Sequence, residues 1–447
     1  MLQETRSQGQ ESLFSGELKT LCNPRHGLVQ VAEQIHWAGL EEAFGGCYCP
    51  DFGRPCKPIR LLVGLHYLKH AYQFSDEGAV AELAENPYWQ YFCGFEYFQR
   101  ELALDASLLS KWRKRIRVQK LEKLLEETIR TGLQTGVLKR TQLAKLNVDT
   151  TVQEKAISYP TDAKLYAKML QRLVKLSHQQ GIELRQSHTR QAKQSLFRYH
   201  RYAHGRKLKL AQRELKKLKI YLGRVFREVG RKVLRADRQE LWEVFGPELA
   251  LAQRLLAQQR EDNHKLYSLH APEVACIAKG KAHKKYEFGC KVSVVATSKD
   301  PFIVGMQALP GNPYDGHTLA QALAQAERLG GFVAQEVFAD QGYRGHNYTG
   351  TATVHLSRWN LAGVKASVIR WIKRRSAIEP VIGHAKNDGW LGRNHLKGTE
   401  GDQINAILCA CGFNIRKLLR KLFLFLFQRW FPRHFGEQKF LFCNQLI

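Results

Sequence analysis

Three carboxylates in this chain stand where hard divalent cations could be held. They are Asp149 in Asn147-Val148-Asp149-Thr150-Thr151, Asp340 in Phe338-Ala339-Asp340-Gln341-Gly342-Tyr343, and Glu379 in Arg374-Arg375-Ser376-Ala377-Ile378-Glu379-Pro380. Mg²⁺ takes oxygen ligands, and a few carboxylates plus substrate phosphates satisfy it. Two such ions about 3.5–4 Å apart can activate an attacking oxygen and stabilise a leaving one in phosphodiester chemistry. Each context is weak alone: a lone strand Asp is usually solvated, and Arg375 with Glu379 reads as an i,i+4 surface pair worth a few tenths of a kcal/mol. No Ser/His nucleophile pattern and no phosphate-binding glycine loop competes. Asp315 and His317, in Gly311-Asn312-Pro313-Tyr314-Asp315-Gly316-His317, form a further acid and imidazole on a turn. Asp315 reads most simply as a turn or N-cap residue of the following helix.

The elements that must position these acids are visible as periodicities. Leu146, Val148 and Thr150 alternate with Asn147, Asp149 and Thr151, a period-2 strand whose acid lies opposite the apolar residues. Val337-Phe338-Ala339 ends in Asp340 and a glycine-bracketed turn, the way a sheet presents a carboxylate at the carboxyl edge of a strand. Glu379 falls on a long helix expected from about Ser367 through Lys386. Further strands are expected over Tyr286–Val294, Phe302–Met306 and Thr353–Leu356. A helix from His317 to Leu329 ends at Gly330-Gly331, and a last helix over Gln403–Arg420 has Ile404, Ile407, Leu408, Phe413 and Leu418 as core positions. Between residues 163 and 260 the strand pattern vanishes. Leucines recur three and four apart, and Arg206, Lys209, Arg213, Lys216, Arg224, Arg227 and Arg231 outnumber the acids, which suggests helices lying on nucleic-acid backbone.

Residues 1–50 read as a loose lead-in with one short helix near Leu28–Phe44. From Pro58, Leu61, Leu62, Leu65, Leu68 and Tyr72 mark an amphipathic helix. A second, capped at Ser75-Asp76, runs to Asn86-Pro87, and the aromatic patch of Tyr88, Trp89, Tyr91, Phe92 and Phe95 follows. A third begins near Asp105, with Leu108, Leu109, Trp112 and Ile116 as its buried stripe and Lys111, Arg113, Lys114, Arg115 and Arg117 around the rest. Three short helices ending in a basic one fit a helix-turn-helix reader in which Lys111, Arg113 and Arg115 face DNA. A plain bundle with a solvated basic face is the alternative.

The chain has 447 residues and a formal net charge of +28, which calls for a polyanionic partner. Nucleic acid is favoured over an anionic membrane because the basic residues are spread through helical stretches rather than placed beside a span. The first twenty residues are polar and carry no secretory apolar segment. The apolar run Leu418–Phe427 is interrupted by Arg420 and Lys421 and is far shorter than the roughly 20 residues of a span. The ten cysteines read as reduced thiols of a soluble, cytoplasmic protein. Cys47, Cys49 and Cys56 lack the paired histidines of a structural zinc site.

With the basic helices set aside, the element order approximates a ribonuclease H-like core, in which the first strand, the fourth strand and a later helix each bring one carboxylate to the same point. The three acid motifs, in this order, resemble those of a bacterial insertion-sequence DDE transposase of the InsH type, and the Pro58–Arg117 segment resembles that family's N-terminal helical domain. The resemblance implies an α+β (or α/β) fold: a ribonuclease H-like mixed-sheet core interrupted by a long basic helical insertion and preceded by an all-α domain. The corresponding segments are a lead-in over 1–54, a DNA-binding domain over 55–140, a catalytic domain over 141–162 and 266–425, an insertion over 163–265 and a tail over 426–447. It further implies metal-dependent cleavage and transfer of DNA strands. Two Mg²⁺ ions, with Mn²⁺ as a substitute, would be held by Asp149, Asp340 and Glu379. Double-stranded DNA, both element ends and target, is the implied partner, bound by a homodimer in a synaptic complex at the bacterial nucleoid. The family signature Tyr-x-x-Arg-x-x-x-Glu-x-x-x-x-x-x-Lys is matched by Arg375, Glu379 and Lys386, with Ile372 at the tyrosine position. Spacings of four and seven put the three on one helix face, where Arg375 and Lys386 are implied to grip phosphate.

Overall fold

The computed structural model describes residues 16–48, 56–116, 118–236, 238–259, 261–278, 284–357 and 363–430, with residues 119 and 423–430 as backbone only. Arg117, Cys49 and the segment beyond 430 therefore lie outside the described residues. Two compact units are present, one of residues 1–153 with 291–447 and one of residues 154–290.

Among the described residues of the first unit, nine helices precede the first strand: α1 (Leu18–Leu21), α2 (Gly27–Gln34), α3 (Trp37–Gly45), α4 (Ile59–Tyr72), α5 (Asp76–Glu85), α6 (Pro87–Phe92), α7 (Ser107–Arg115), α8 (Val118–Gln134) and α9 (Arg140–Leu143). The lead-in is not loose from Glu17 onward. Leu18, Val29, Val31, Leu40 and Phe44 are buried, and the single helix expected over Leu28–Phe44 is two. The break falls at Ile35-His36, where the His36 backbone N–H leaves the helical ladder and donates to the Glu127 carboxylate at 2.7 Å.

Local capping rules account for the next boundaries. Ser75 Oγ accepts from Gly78 N at 2.9 Å and starts α5. Asn86 ends α5 and then caps α6 by accepting from Tyr88 N and Trp89 N, which turns the aromatic patch into a helix. Asp105 Oδ1 accepts from Ser107 N at 2.8 Å at the start of α7, whose Leu109 and Trp112, with Ile116 just beyond, are buried.

The strands are β1 (Lys145–Glu154), β2 (Ala275–Ala278), β3 (Tyr286–Thr297), β4 (Ile303–Leu309), β5 (Glu336–Ala339) and β6 (Thr353–Leu356). Within the first unit the lateral order is β4-β3-β1-β5-β6. β3 is antiparallel to β4, and β1, β5 and β6 run parallel. Helices α14 (Asp315–Gly330), α15 (Ala366–Arg374), α16 (Ile378–Asp388) and α17 (Gly398–Trp430) complete this unit. Only a three-residue 3₁₀ turn, Gln341–Tyr343, separates β5 from the loop leading to β6.

β1 is not half solvated, as its alternation suggested; both of its faces are covered. Two of its odd-numbered polar residues, Asn147 and Gln153, are buried by bonding to helices or the turn between them. Asn147 donates to the carbonyls of Arg374 and Arg375, and Gln153 donates to the Asp402 carbonyl at 3.0 Å and accepts from Asn405 at 2.8 Å. On the other face Thr150 bonds to Asp315. A buried polar group is tolerated when such partners are present. β4 is covered in the same way: Asn414 of α17 bonds both the N–H and the C=O of Ile303, and Gln403 accepts from Ala308 N.

The second unit holds α10 (Asp162–Gln179), α11 (Thr189–His204), α12 (Leu208–Ala236) and α13 (Gln239–Ala257), followed by β2, which pairs with the first residues of β3. Leu170, Leu173, Leu218, Leu222, Val225, Val229 and Phe245 form its core. The spacing of Leu218, Leu222, Val225, Val229 and Val233 makes one stripe of α12 apolar, while Arg213, Lys216, Arg224, Arg227 and Arg231 are exposed on the rest.

Candidate active site

The parallel pairing of β1 with β5 positions the first two acids. Val148 is register partner to Ala339, so Asp149 and Asp340 are the next residues on adjacent strands. Neighbouring strands lie about 4.8 Å apart, and register partners point to the same face. On that face Lys145 pairs with Glu336 at 2.5 Å, and Phe338 stacks on His355 and Trp371 at 5.0 and 6.3 Å between ring centroids. Trp371 belongs to α15, which therefore lies over this face. β6 adds a third member to the row: Leu356 pairs with Ala339, and the next residue, Ser357, donates its hydroxyl to Asp340 Oδ1 at 2.9 Å.

The third acid arrives by a different route than a single long helix. α15 and α16 are separated by a 3₁₀ turn, Arg375–Ala377. Pro380 has no N–H for the Ser376 carbonyl and would clash with it in a continuous helix, so it is accommodated in the first turn of a new one. Asn147 Nδ2 takes up the carbonyls of Arg374 and Arg375 at 3.3 and 3.4 Å, and its Oδ1 accepts from Ser298 Oγ at 2.6 Å. Arg374 Nε donates to the Ser298 carbonyl at 2.8 Å. Asn147 thus fixes the 3₁₀ turn to the strand that carries Asp149, two residues away on the same face.

From that turn Arg375 reaches both acids. Its Nη1 lies 3.3 Å from Asp149 Oδ2, and its Nη2 lies 3.1 Å from Glu379 Oε1. Arg375 is 13% exposed and Asp149 20%, whereas Glu379 is 62% exposed on the rim. Lys386 is two turns beyond Glu379 on α16 and partly exposed. The donor set is carboxylate oxygen throughout, which suits a hard divalent cation. Among the described residues no three His, Cys, Asp or Glu side chains are yet gathered as a metal cage. Between Asp149 and Glu379 stands the Arg375 guanidinium.

The Asp340 turn packs inward. Tyr343 is 1% exposed, its hydroxyl has no partner of good hydrogen-bond geometry among the described residues, and Thr318 is nearby. Burial, then the negative charges of Asp149 and Asp315, push its phenol well above the usual range. Tyr343 therefore shapes the turn from below, while the Arg344 side chain is exposed. Asp315 is not an N-cap: it lies in the first turn of α14, after Tyr314, and its carboxylate turns to Thr150 and Lys291. His317 is exposed and packs edge-on against Tyr314.

In the helical part of this unit the basic stripe of α7 divides. Lys111 and Arg115 are exposed, and the Arg115 guanidinium sits 4.7 Å over the Tyr48 ring. Arg113 is corrected from a DNA-facing cation to a buried one, 6% exposed. It makes a two-pronged pair with Asp76 at 2.9 and 2.5 Å and a contact to His66 Nε2 at 3.3 Å. Buried against Asp76 and His66, this guanidinium is withdrawn from the surface where a phosphate would be met. Of these residues, Ser357, Ser298 and Lys291 are not legible in the sequence as parts of the site. The one local signal was that Asn147 shares a strand face with Asp149.

The chain matches two families. Residues 17–115 match "Transposase domain (DUF772)" and residues 262–415 match "Transposase DDE domain". An uncharacterized protein, ORF8 in the nfe locus of Rhizobium meliloti, is 54% identical over 200 residues, covering 45% of this chain and 96% of that protein. No solved structure matches the chain. Among the described residues no helix is long and apolar enough to cross a membrane. Asp340 and Glu379 lie within the second match and Asp149 lies between the two, and the chain belongs to the insertion-sequence DDE transposases.

Proposed function

We propose that the protein binds the ends of its own insertion sequence and cleaves and joins DNA strands, with Asp149, Asp340 and Glu379 as the ligands of two divalent metal ions. The observation that carries this reading is the placement of Asp149 and Asp340 side by side where the parallel pairing of β1 with β5 ends, with Glu379 joined to Asp149 through Arg375. The strand order β4-β3-β1-β5-β6, with its first pair antiparallel and its last three strands parallel, supports a ribonuclease H-like core. The segment of α10–α13 between β1 and β2 is then the insertion.

When bound, Mg²⁺ or Mn²⁺ supplies an activated oxygen nucleophile and stabilises the leaving oxygen. The chain's own residues do the placing. Ser357 holds one oxygen of Asp340, Asn147 holds the turn that carries Arg375, and Arg375 and Lys386 face the scissile and flanking phosphates. Lys111, Arg115 and the exposed cations of α12 contact backbone phosphate along the element end, and a homodimer brings two ends together.

Asp340→Asn is expected to abolish metal-dependent nicking at an element end while leaving end binding intact; full nicking activity in that variant overturns the assignment. Strand transfer from a pre-cleaved 3′-hydroxyl end separates a transposase, which joins, from a nuclease, which only cuts.

A further inference from the structure

We propose that Asp315 is a positioning residue that ties the part of β1 carrying Asp149 to the turn carrying Asp340; the proposal rests on the two-metal reading of that site. The N-terminal turn of α14 touches both of these segments. Asp315 Oδ1 accepts from the hydroxyl of Thr150, the residue after Asp149, at 2.8 Å. The same oxygen accepts from Lys291 Nζ at 2.8 Å, and Lys291 also donates to the Pro313 carbonyl at 2.6 Å. The other oxygen packs on the Asp340 turn so closely that a Cβ at Gly342 would lie 3.2 Å from it. Gly316 permits a similar approach, since a Cβ there would stand 3.1 Å from His346 Cα. Tyr314 completes the link with a hydrogen bond from its hydroxyl to the Arg344 carbonyl.

Thr150 points to the opposite sheet face from Asp149, so Asp315 acts on Asp149 only through the strand backbone. Lys291, 8% exposed, offsets the charge of this fourth carboxylate, which would otherwise add to the repulsion among the nearby acids. The buried ring of Tyr343 fills the space near Asp149, Asp315 and Asp340. The device resembles the outer-shell contacts that orient metal ligands elsewhere, whose loss typically lowers metal affinity about 10–100-fold.

The test measures Mn²⁺ binding to the full chain by the paramagnetic resonance signal of free Mn²⁺, alongside a thermal melt. Asp315→Ala is expected to weaken binding about 10-fold or more with little change in melting. Asp315→Asn, which keeps the acceptor for Thr150 and Lys291, is expected to restore most of the affinity. Thr150→Val should weaken binding alone and add little to Asp315→Ala, because both act through one link. Wild-type affinity in a folded Asp315→Ala protein overturns the proposal. So does loss of binding in Asp315→Asn as complete as in Asp149→Asn, which would make Asp315 a ligand. If Asp149→Asn itself binds Mn²⁺ like the wild type, the two-metal reading fails instead, independently of Asp315.

Discussion

Replacing Arg375 with Gln should strengthen metal binding to the DNA-free protein while damaging its activity. The guanidinium now stands between Asp149 and Glu379, at 3.3 and 3.1 Å, and a cation entering that space must displace it. The Glu379 contact is 62% exposed on its acidic side and worth little; the Asp149 contact is more enclosed. Together they resist displacement by about 1 kcal/mol, at the upper end for pairs open to solvent. That corresponds to roughly a fivefold gain in Mn²⁺ affinity on removing the side chain, at 1.4 kcal/mol per tenfold. The same contact predicts coupling with DNA. A phosphate that draws Arg375 off the carboxylates frees them for metal, so DNA should raise Mn²⁺ affinity and Mn²⁺ should raise DNA affinity by the same factor. Calorimetric titration of Mn²⁺ into the protein, with and without an element-end duplex, measures both quantities. Lys386→Gln serves as the control, because it removes a nearby positive charge without opening the Asp149–Arg375–Glu379 bridge. An Arg375→Gln protein that binds Mn²⁺ no better than wild type, or no better than Lys386→Gln, would refute the reasoning.

Three further outcomes follow from particular contacts. Asn147→Asp sets a carboxylate against the carbonyls of Arg374 and Arg375 and should cost about 2–3 kcal/mol in urea unfolding, with strand transfer falling further than stability explains. Arg113→Met leaves Asp76 with Lys69 as its remaining cation and should destabilise by about 3 kcal/mol in the same assay. By contrast, Lys111→Gln should leave unfolding unchanged and Arg115→Gln should cost only about 0.5–1 kcal/mol, from its contact over Tyr48, while both reduce the salt dependence of DNA binding. His66 is held neutral: Nδ1 donates to the Leu62 carbonyl at 2.7 Å, Nε2 accepts from Arg113, and burial followed by the Arg113 charge lowers its pKa to about 3. The unfolded chain takes up a proton near pH 6.5 and the folded one does not, so stability is lost as pH falls from 6.5 toward 3. The His66 contribution alone is about 2 kcal/mol at pH 5, and His66→Gln should flatten the pH dependence of melting across that window.

The sequence by itself determined what depends on a few neighbouring residues. Alternation around Asp149 marked a strand, the glycines after Asp340 marked a turn at a strand end, and Ser75 and Asn86 marked helix boundaries, because capping and side-chain alternation are local rules. The charge imbalance of α12 was also legible, as was the apolar stripe that leaves its cations outside. Only the tertiary structure decided which polar groups were committed inside the protein. Lys111 and Arg113 lie two positions apart on one helix, yet one is solvated and the other is buried on Asp76, thirty-seven residues earlier. Distant helices supply the partners of Asn147 and Gln153, and Asp315, expected as a turn or cap residue, bonds Thr150 and Lys291 instead. One long helix was expected through Glu379; Pro380 is the local reason that it breaks, but the bonds that hold the broken turn come from Asn147, more than two hundred residues upstream. The free energy of a polar side chain is set by whether water or a protein group satisfies it, and that partner is chosen by the fold rather than by sequence neighbours.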